Sequence, residues 1–303
     1  MNISGQRLQD LKGPFDLSID RKPEAQYFQM QTQFVHIGFD GKRTGIETYL
    51  LRLNCIPAAL SGENLDEYIC QEFGLQLNTG GIVTIPALKL WNYRFDLMSG
   101  ISGKGPVFGI PHDRFEGMVD SLGNKLSPDI SYAIYNNFID FHTFNDIFSR
   151  PMKFGKGIQE LKSIGDRIVH AVAFTEAPVN LGSMIKSGSS FRNGEVTLEL
   201  KGISLIDGAA CALIGYDSGE STLKMLMAPS QDIEAVTEGG SEYKGDIYID
   251  LETGWVRKVT LDEFVVTETK VINAPTKIDA YTVRHLLLRL ISKQEFEKGL
   301  AIV

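Results

Sequence analysis

The run Gln31-Thr-Gln-Phe-Val-His-Ile-Gly-Phe39, followed by Asp40-Gly41 and then by Ile46-Glu-Thr-Tyr-Leu-Leu-Arg-Leu53, decides the fold class. Two stretches rich in β-branched and aromatic residues flank an Asp-Gly pair, the strongest short-range signal for a β-hairpin. The same pattern recurs downstream. In Glu195-Val-Thr-Leu-Glu-Leu200, Val196, Leu198 and Leu200 fall on one face and Glu195, Thr197 and Glu199 on the other. Asp246-Ile-Tyr-Ile-Asp-Leu251, the turn Glu252-Thr-Gly254 and the strand-like run from Trp255 to Val266 form another hairpin. Gly, Asp and Asn punctuate these runs throughout, and 30 glycines in 303 residues suit a turn-rich, mainly β chain.

Few helices are expected. Asn64 caps one over residues 64–73, with Leu65, Ile69 and Phe73 at helical spacing and Gly74 as its stop. Asp279 caps a second, whose stripe Val283, Leu286, Leu287 and Leu290 runs toward Gly299. The aromatic and Asn content of residues 131–148 favours a strand there.

Two short blocks repeat. Ile37-Gly38-Phe39-Asp40 matches Ile214-Gly215-Tyr216-Asp217, and Gly81-Ile-Val-Thr-Ile85 matches Gly245-Asp-Ile-Tyr-Ile249. Each of those last glycines precedes a tryptophan, Trp91 or Trp255, by ten positions, and the chain has 2 tryptophans. An internal duplication accounts for the pattern, with the helix at 64–73 inserted into the first copy. It divides the chain into a β unit over 1–150, a second over 151–275 and a C-terminal helix over 276–303 packed on the sheets. In shape, such a pair of antiparallel sheets or barrels resembles tandem lipocalin-like proteins or open-barrel lipid carriers.

Composition excludes several classes. With 43% hydrophobic and 22% charged residues the chain has the material for a core, and its net charge of −8 argues against nucleic acid as a partner. No apolar run is long enough for a membrane span, and residues 1–7 carry no leader-like pattern. Cys55, Cys70 and Cys211 are too sparse for a disulfide framework or a zinc site and read as reduced thiols of a cytoplasmic protein. Phosphate-binding loops and metal motifs are missing, so neither a cofactor nor a metal is expected; residues 100–105, glycine-rich, read as a loop. Gly215-Tyr-Asp-Ser218-Gly219 lacks the spacing of a nucleophile elbow.

Chemistry falls to histidine–carboxylate pairs. His142 with Asp140 would share one face of a strand, and His112 sits beside Asp113 in a Pro-bearing loop; a carboxylate next to an imidazole orients a general base. His36 and His170 read as sheet histidines and His285 as a surface one. Trp91, Tyr93 and Phe95 alternate on one strand, and together with Tyr135 and Phe138 they are candidates to wall a cavity for a bulky apolar ligand. The expectation is therefore an enzyme that binds a bulky, largely apolar small molecule in a β-walled cavity and acts on it by acid/base chemistry, as an isomerase, hydratase or cyclase does. A non-catalytic carrier of a lipid-like ligand and a structural assembly protein are the alternatives. A homodimer is compatible with the sequence.

Overall fold

A computed structural model describes residues 13–38, 40–99, 106–177, 186–230, 233–272, 274–275 and 277–302. Residues 1–7, Phe39 and residues 100–105, all read above, lie outside the described residues. In chain order the strands are β1 (Gln26–Ile37), β2 (Arg43–Ile56), β3 (Glu67–Leu77), β4 (Val83–Thr84), β5 (Trp91–Arg94), β6 (Arg167–Val169), β7 (Glu176–Ala177), β8 (Ser190–Arg192), β9 (Thr197–Ile206), β10 (Ala209–Asp217), β11 (Ser221–Ser230), β12 (Ile233–Asp250), β13 (Val256–Val271) and β14 (Lys277–Leu290). The α-helices are α1 (Ala58–Ser61), α2 (Pro128–His142) and α3 (Lys293–Phe296).

Among the described residues fourteen strands join one sheet: ten follow the order β4-β3-β2-β1-β14-β13-β12-β10-β9-β6, β5 pairs with β3, β11 with β12, β8 with β11 and β7 with β8, and every ladder is antiparallel. The 18 residues of β12 pair with β13 on one edge and with two strands on the other, Lys244 to Asp250 with β10 and Ile233 to Ser241 with β11. The path has two ends, so the sheet is open. In place of the expected pair of antiparallel sheet or barrel units, a single sheet, not a closed barrel, runs through the segments 1–150, 151–275 and 276–303, because β1 of the first pairs with β14 of the last. The structure does not show the duplication. Gly81 lies outside any strand and Trp91 opens a four-residue strand on β3, whereas Gly245 is mid-strand and Trp255 sits between β12 and β13.

Three expected elements change type. Residues 64–73 contribute to β3 rather than a helix: Gln71 is an extra residue opposite the Arg52/Leu53 step of β2, so buried Cys70 is followed by buried Phe73 at a helix-like interval. Residues 279–290 belong to strand β14, not to a helix. Arg284, Leu286 and Leu288 face the core, while Val283 and Leu287 lie on the other face; a central strand apolar on both faces mimics a helical stripe. The helix near the C-terminus is α3 alone, closed by a capping box between Ser292 and Glu295. Conversely, residues 131–142, expected as strand, form most of α2. Ser127 accepts a hydrogen bond from the Ile130 N–H and Pro128 occupies the first turn, a start signal that outweighs aromatic content. A π-helical turn over Thr143–Ile147 continues α2.

Helix α2 lies against one face of the sheet, here called the inner face. Phe138 stacks on Phe73 of β3, Phe141 meets Phe28 of β1 and Phe144 meets Tyr216 of β10. The outer face of β1 and β2 is covered instead by the C-terminal segment, where the Arg52 guanidinium lies 5.0 Å over the Phe296 ring and donates to the Glu295 carbonyl. No helix among the described residues is long and apolar enough to cross a membrane.

Phe138 has no exposed surface and touches Phe73, Trp91, Tyr93 and Phe115. Phe138→Ala should lower the unfolding free energy by about 3–5 kcal/mol in urea titration. A loss under about 1 kcal/mol would show that α2 is not seated in the core as described.

Candidate functional site

His142 occupies the last turn of α2 and has no exposed surface. Its carboxylate partner is Asp146, not Asp140. On a helix, residues two apart point to different sides while residues four apart stack, and the π turn after His142 keeps the four-residue pair together: His142 Nδ1 lies 2.8 Å from Asp146 Oδ2. With Nδ1 donating to that carboxylate, Nε2 accepts from the Tyr93 hydroxyl at 2.8 Å. Asp146 also takes Arg21 Nη1 at 2.7 Å, the Tyr68 hydroxyl at 3.1 Å and Asn145 Nδ2 at 3.2 Å. Phe95 stacks on the imidazole at 4.5 Å and Tyr68 meets it edge-on at 4.7 Å.

Burial pushes the His142 imidazole below its ordinary value, favouring the neutral ring. Burial pulls Asp146 the other way, but Arg21 and the hydrogen bond from His142 hold it well below the carboxylate range. Both ring nitrogens are occupied by protein and the cage is aromatic. This knot ties the N-terminal segment (Arg21), β3 (Tyr68), β5 (Tyr93) and α2 together.

His112 opens a short 3₁₀ turn, buried against Tyr135 at 4.9 Å, and burial lowers its proton affinity. The carboxylate within reach of its ring is Glu116, 3.6 Å from Nδ1, while Asp113 is exposed. The aromatic set is brought together, but against itself: Trp91 stacks on Tyr93 at 4.7 Å and meets Phe138 edge-on at 5.4 Å, Phe115 bridges Phe138 to Tyr135, and Phe95 covers His142.

Asp140 reaches a different place. Strand register aligns Tyr243 (β12), Glu263 (β13), Arg284 (β14), Phe34 (β1) and Glu47 (β2) in one row across the inner face. Asp140 descends from α2 onto Arg284, which also pairs with Glu263 at 2.5 Å and lies 5.8 Å over the Phe34 ring. Burial raises the Asp140 carboxyl to about 6 against the pull of Arg284, and the two carboxylates keep Arg284 charged despite its own burial.

This row is a boundary. On one side the inner face is filled by α2 and carries Leu261, Leu286 and Tyr49, all buried. On the other, β12 presents small residues, Ser241, Gly239, Thr237 and Ala235. Leu223, Met225 and Met227 of β11 flank them on one side, and Val265, Thr267, Thr269 and Val271 of β13 on the other, with Ile278 of β14 beyond. The strip of small residues, with the longer Leu and Met side chains of β11 on one side and Val and Thr of β13 on the other, makes a trough; Leu223, Met225, Met227 and Val265 are half-buried and Ile278 is 51% exposed.

Arg21, Asp146, Glu263 and Arg284 were not singled out from sequence. The signal for Asp146 was its four-residue spacing from His142, meaningful once the segment is helical. That for Arg284 was a charge between Val283 and Leu286 in an apolar run. Comparison with protein-family models and with curated proteins finds no match for the chain.

Asp146→Ala strands the Arg21 guanidinium, whose side chain is 6% exposed, and should cost about 3–5 kcal/mol in chemical denaturation. The pH dependence has a definite sign. A base whose folded pKa is depressed, as at His142, leaves the unfolded chain binding more protons, so stability falls as pH drops below 6.5. Asp140, raised to about 6, acts oppositely and gains stability as pH falls through that value. Urea midpoints at pH 7.5 and 5.5 should therefore show His142→Gln losing less stability on acidification than wild type. Equal losses would remove His142 from the balance.

Proposed function

We propose that this chain is a binding protein for a bulky, largely apolar small molecule held in the trough beyond the Tyr243–Glu263–Arg284–Phe34–Glu47 row. The observation that carries the proposal is the change of character along one inner face, from a core filled by α2 to a strip of Ser, Gly, Thr and Ala beside the half-buried Leu and Met of β11. Methionine side chains are flexible and polarizable, suited to ligands of varied shape. A concave apolar surface with a few convergent polar groups at one end is the usual anatomy of a small-molecule site. In this role the open sheet works as an open barrel does in lipid carriers, with the His142–Asp146 knot as scaffold and not as catalyst.

A second role, acid/base turnover of the bound molecule, is favoured by one feature. Asp140, raised to about 6 and standing where the filled core gives way to the trough, suits proton exchange near neutrality.

Titration with the neutral fluorophore Nile red tests the binding role. Wild type should bind it, and Met225→Asp/Met227→Asp should weaken binding by about tenfold or more, as two charges in an apolar site would. Phe264→Asp, on the opposite face of the sheet, should leave it unchanged. Loss of binding in Phe264→Asp with retention in the methionine variant would place the site on the outer face and end the proposal.

A further inference from the structure

On the outer face, opposite the trough, the C-terminal segment bridges the sheet and leaves a cavity beside it. Three contacts hold that segment down. The Phe296 ring meets Tyr27 at 5.1 Å, and Gln29 Nε2 donates to the Ala301 carbonyl at 3.1 Å. Leu300 packs so closely on Gly74 of β3 that a Cβ there would come within 2.6 Å of its Cδ1. Between this segment and β14 lies a cavity of about 260 Å³, whose walls include Leu287, Arg289 and Ile291 on one side and Glu295, Lys298 and Ala301 on the other.

The charges around the cavity do not balance. Arg289 is half-buried, yet its guanidinium has no hydrogen bond or ion pair among the described residues. Strand register sets Lys258, Arg289, Gln29, Arg52 and Glu72 in one outer-face row across β13, β14, β1, β2 and β3. Lys258 stands directly opposite Arg289, and like charges facing each other across a ladder destabilise it. Lys258 itself lies 5.5 Å over the Tyr248 ring and pairs with no carboxylate among the described residues. Arg52 is 1% exposed, and its Nε is buried without a partner. Lys298 adds a further unpaired cation from the segment itself. Glu295 is the carboxylate of the cavity wall, but its Oε2 is taken by the Ser292 N–H at 3.0 Å and the Ser292 hydroxyl at 2.7 Å. Those two bonds hold its carboxyl below the usual range, with Arg289 and Lys298 acting only after them. In a chain of net charge −8, this wall therefore holds positive charge that its own carboxylates leave unanswered.

We infer that this cavity binds a small organic carboxylate, its charge on Arg289 and Lys298 and its apolar body against Leu287 and Ile291. A guanidinium presents paired N–H donors in a planar fork that matches a carboxylate. The volume sets the size of the body: at roughly 30 Å³ for each liquid water, 260 Å³ corresponds to roughly nine waters, or a molecule of about ten non-hydrogen atoms. Inorganic phosphate would meet the charge but leave the apolar wall and most of the space unfilled. The site lies on the other face of the sheet from the trough, and the inference stands apart from the binding role proposed there.

Phenylacetate, its neutral amide phenylacetamide and inorganic phosphate separate the outcomes, each titrated at pH 7.5 and constant ionic strength while the Gly299 and Ala301 amide signals are followed by NMR. Phenylacetate should shift both signals in a saturable way and bind about fivefold or more tighter than phenylacetamide, the margin of a charge-assisted pair over a neutral one. Phosphate should bind more weakly than phenylacetate. Arg289→Gln should bring phenylacetate down to the level of the amide. The same variant relieves the like-charge contact with Lys258 and should keep at least the wild-type Tm. The wild-type rank order needs no variant to fold. Phenylacetamide binding as tightly as phenylacetate, or no saturable shift of Gly299 and Ala301 with phenylacetate, would overturn the carboxylate site. Phosphate binding as tightly as phenylacetate would overturn the apolar body, and an undiminished preference for phenylacetate in Arg289→Gln would overturn Arg289 as the anchor.

Discussion

A carboxylate with no exposed side-chain surface, Asp146, fixes the relation between helix and sheet. Removing a carboxylate from water is tolerable only when charge and hydrogen bonds surround it, and its partners come from separate parts of the chain: Arg21, Tyr68, His142, Asn145 and Arg150. Arg21 is itself placed by Trp255, 4.4 Å beneath its guanidinium, while the Trp255 indole donates to the Lys22 carbonyl at 2.9 Å. The end of α2 is thereby tied to β3, to the N-terminal segment and to the turn before β13. With that end anchored, the length of α2 decides how much of the inner face is filled and how much is left to the trough.

The strands were legible from sequence where alternation met turn chemistry. The Asp40-Gly41 hairpin became β1 and β2, and the Asp246–Leu251 and Trp255–Val266 runs became parts of β12 and β13. Val196, Leu198 and Leu200 are all buried, as their shared face requires. Failures arose where a second constraint disturbed the period. A bulge at Gln71 made β3 look helical, burial on both faces did the same for β14, and aromatic residues disguised α2, although Ser127-Pro128 announced its start. One error carried into the site. A strand would have put Asp140 beside His142; a helix sends Asp140 to Arg284 and gives His142 to Asp146. Arg284 is set by the registers of β1, β13 and β14 together, a relation among distant residues that no local pattern contains.

The two ion clusters flanking the end of α2 have different consequences. The Asp146 cluster is enclosed by rings and holds the fold. The Arg284 cluster stands where the packed part of the inner face ends, beside small residues and methionines, and combines charge with adjacent apolar surface. Asp146 and Asp140, a few residues apart in sequence, thus join different clusters, one enclosed in the core and one at its edge.

The central claim, that the inner face beyond Arg284 receives an apolar ligand, is tested most directly by methyl NMR of protein labelled at methionine. Met225 and Met227 lie in the trough, whereas Met30 is fully buried beneath α2. Titration with Nile red should shift the Met225 and Met227 methyl signals in a saturable way and leave Met30 unmoved. Saturable shifts confined to methionines outside the trough, or none at any methionine, would contradict the account.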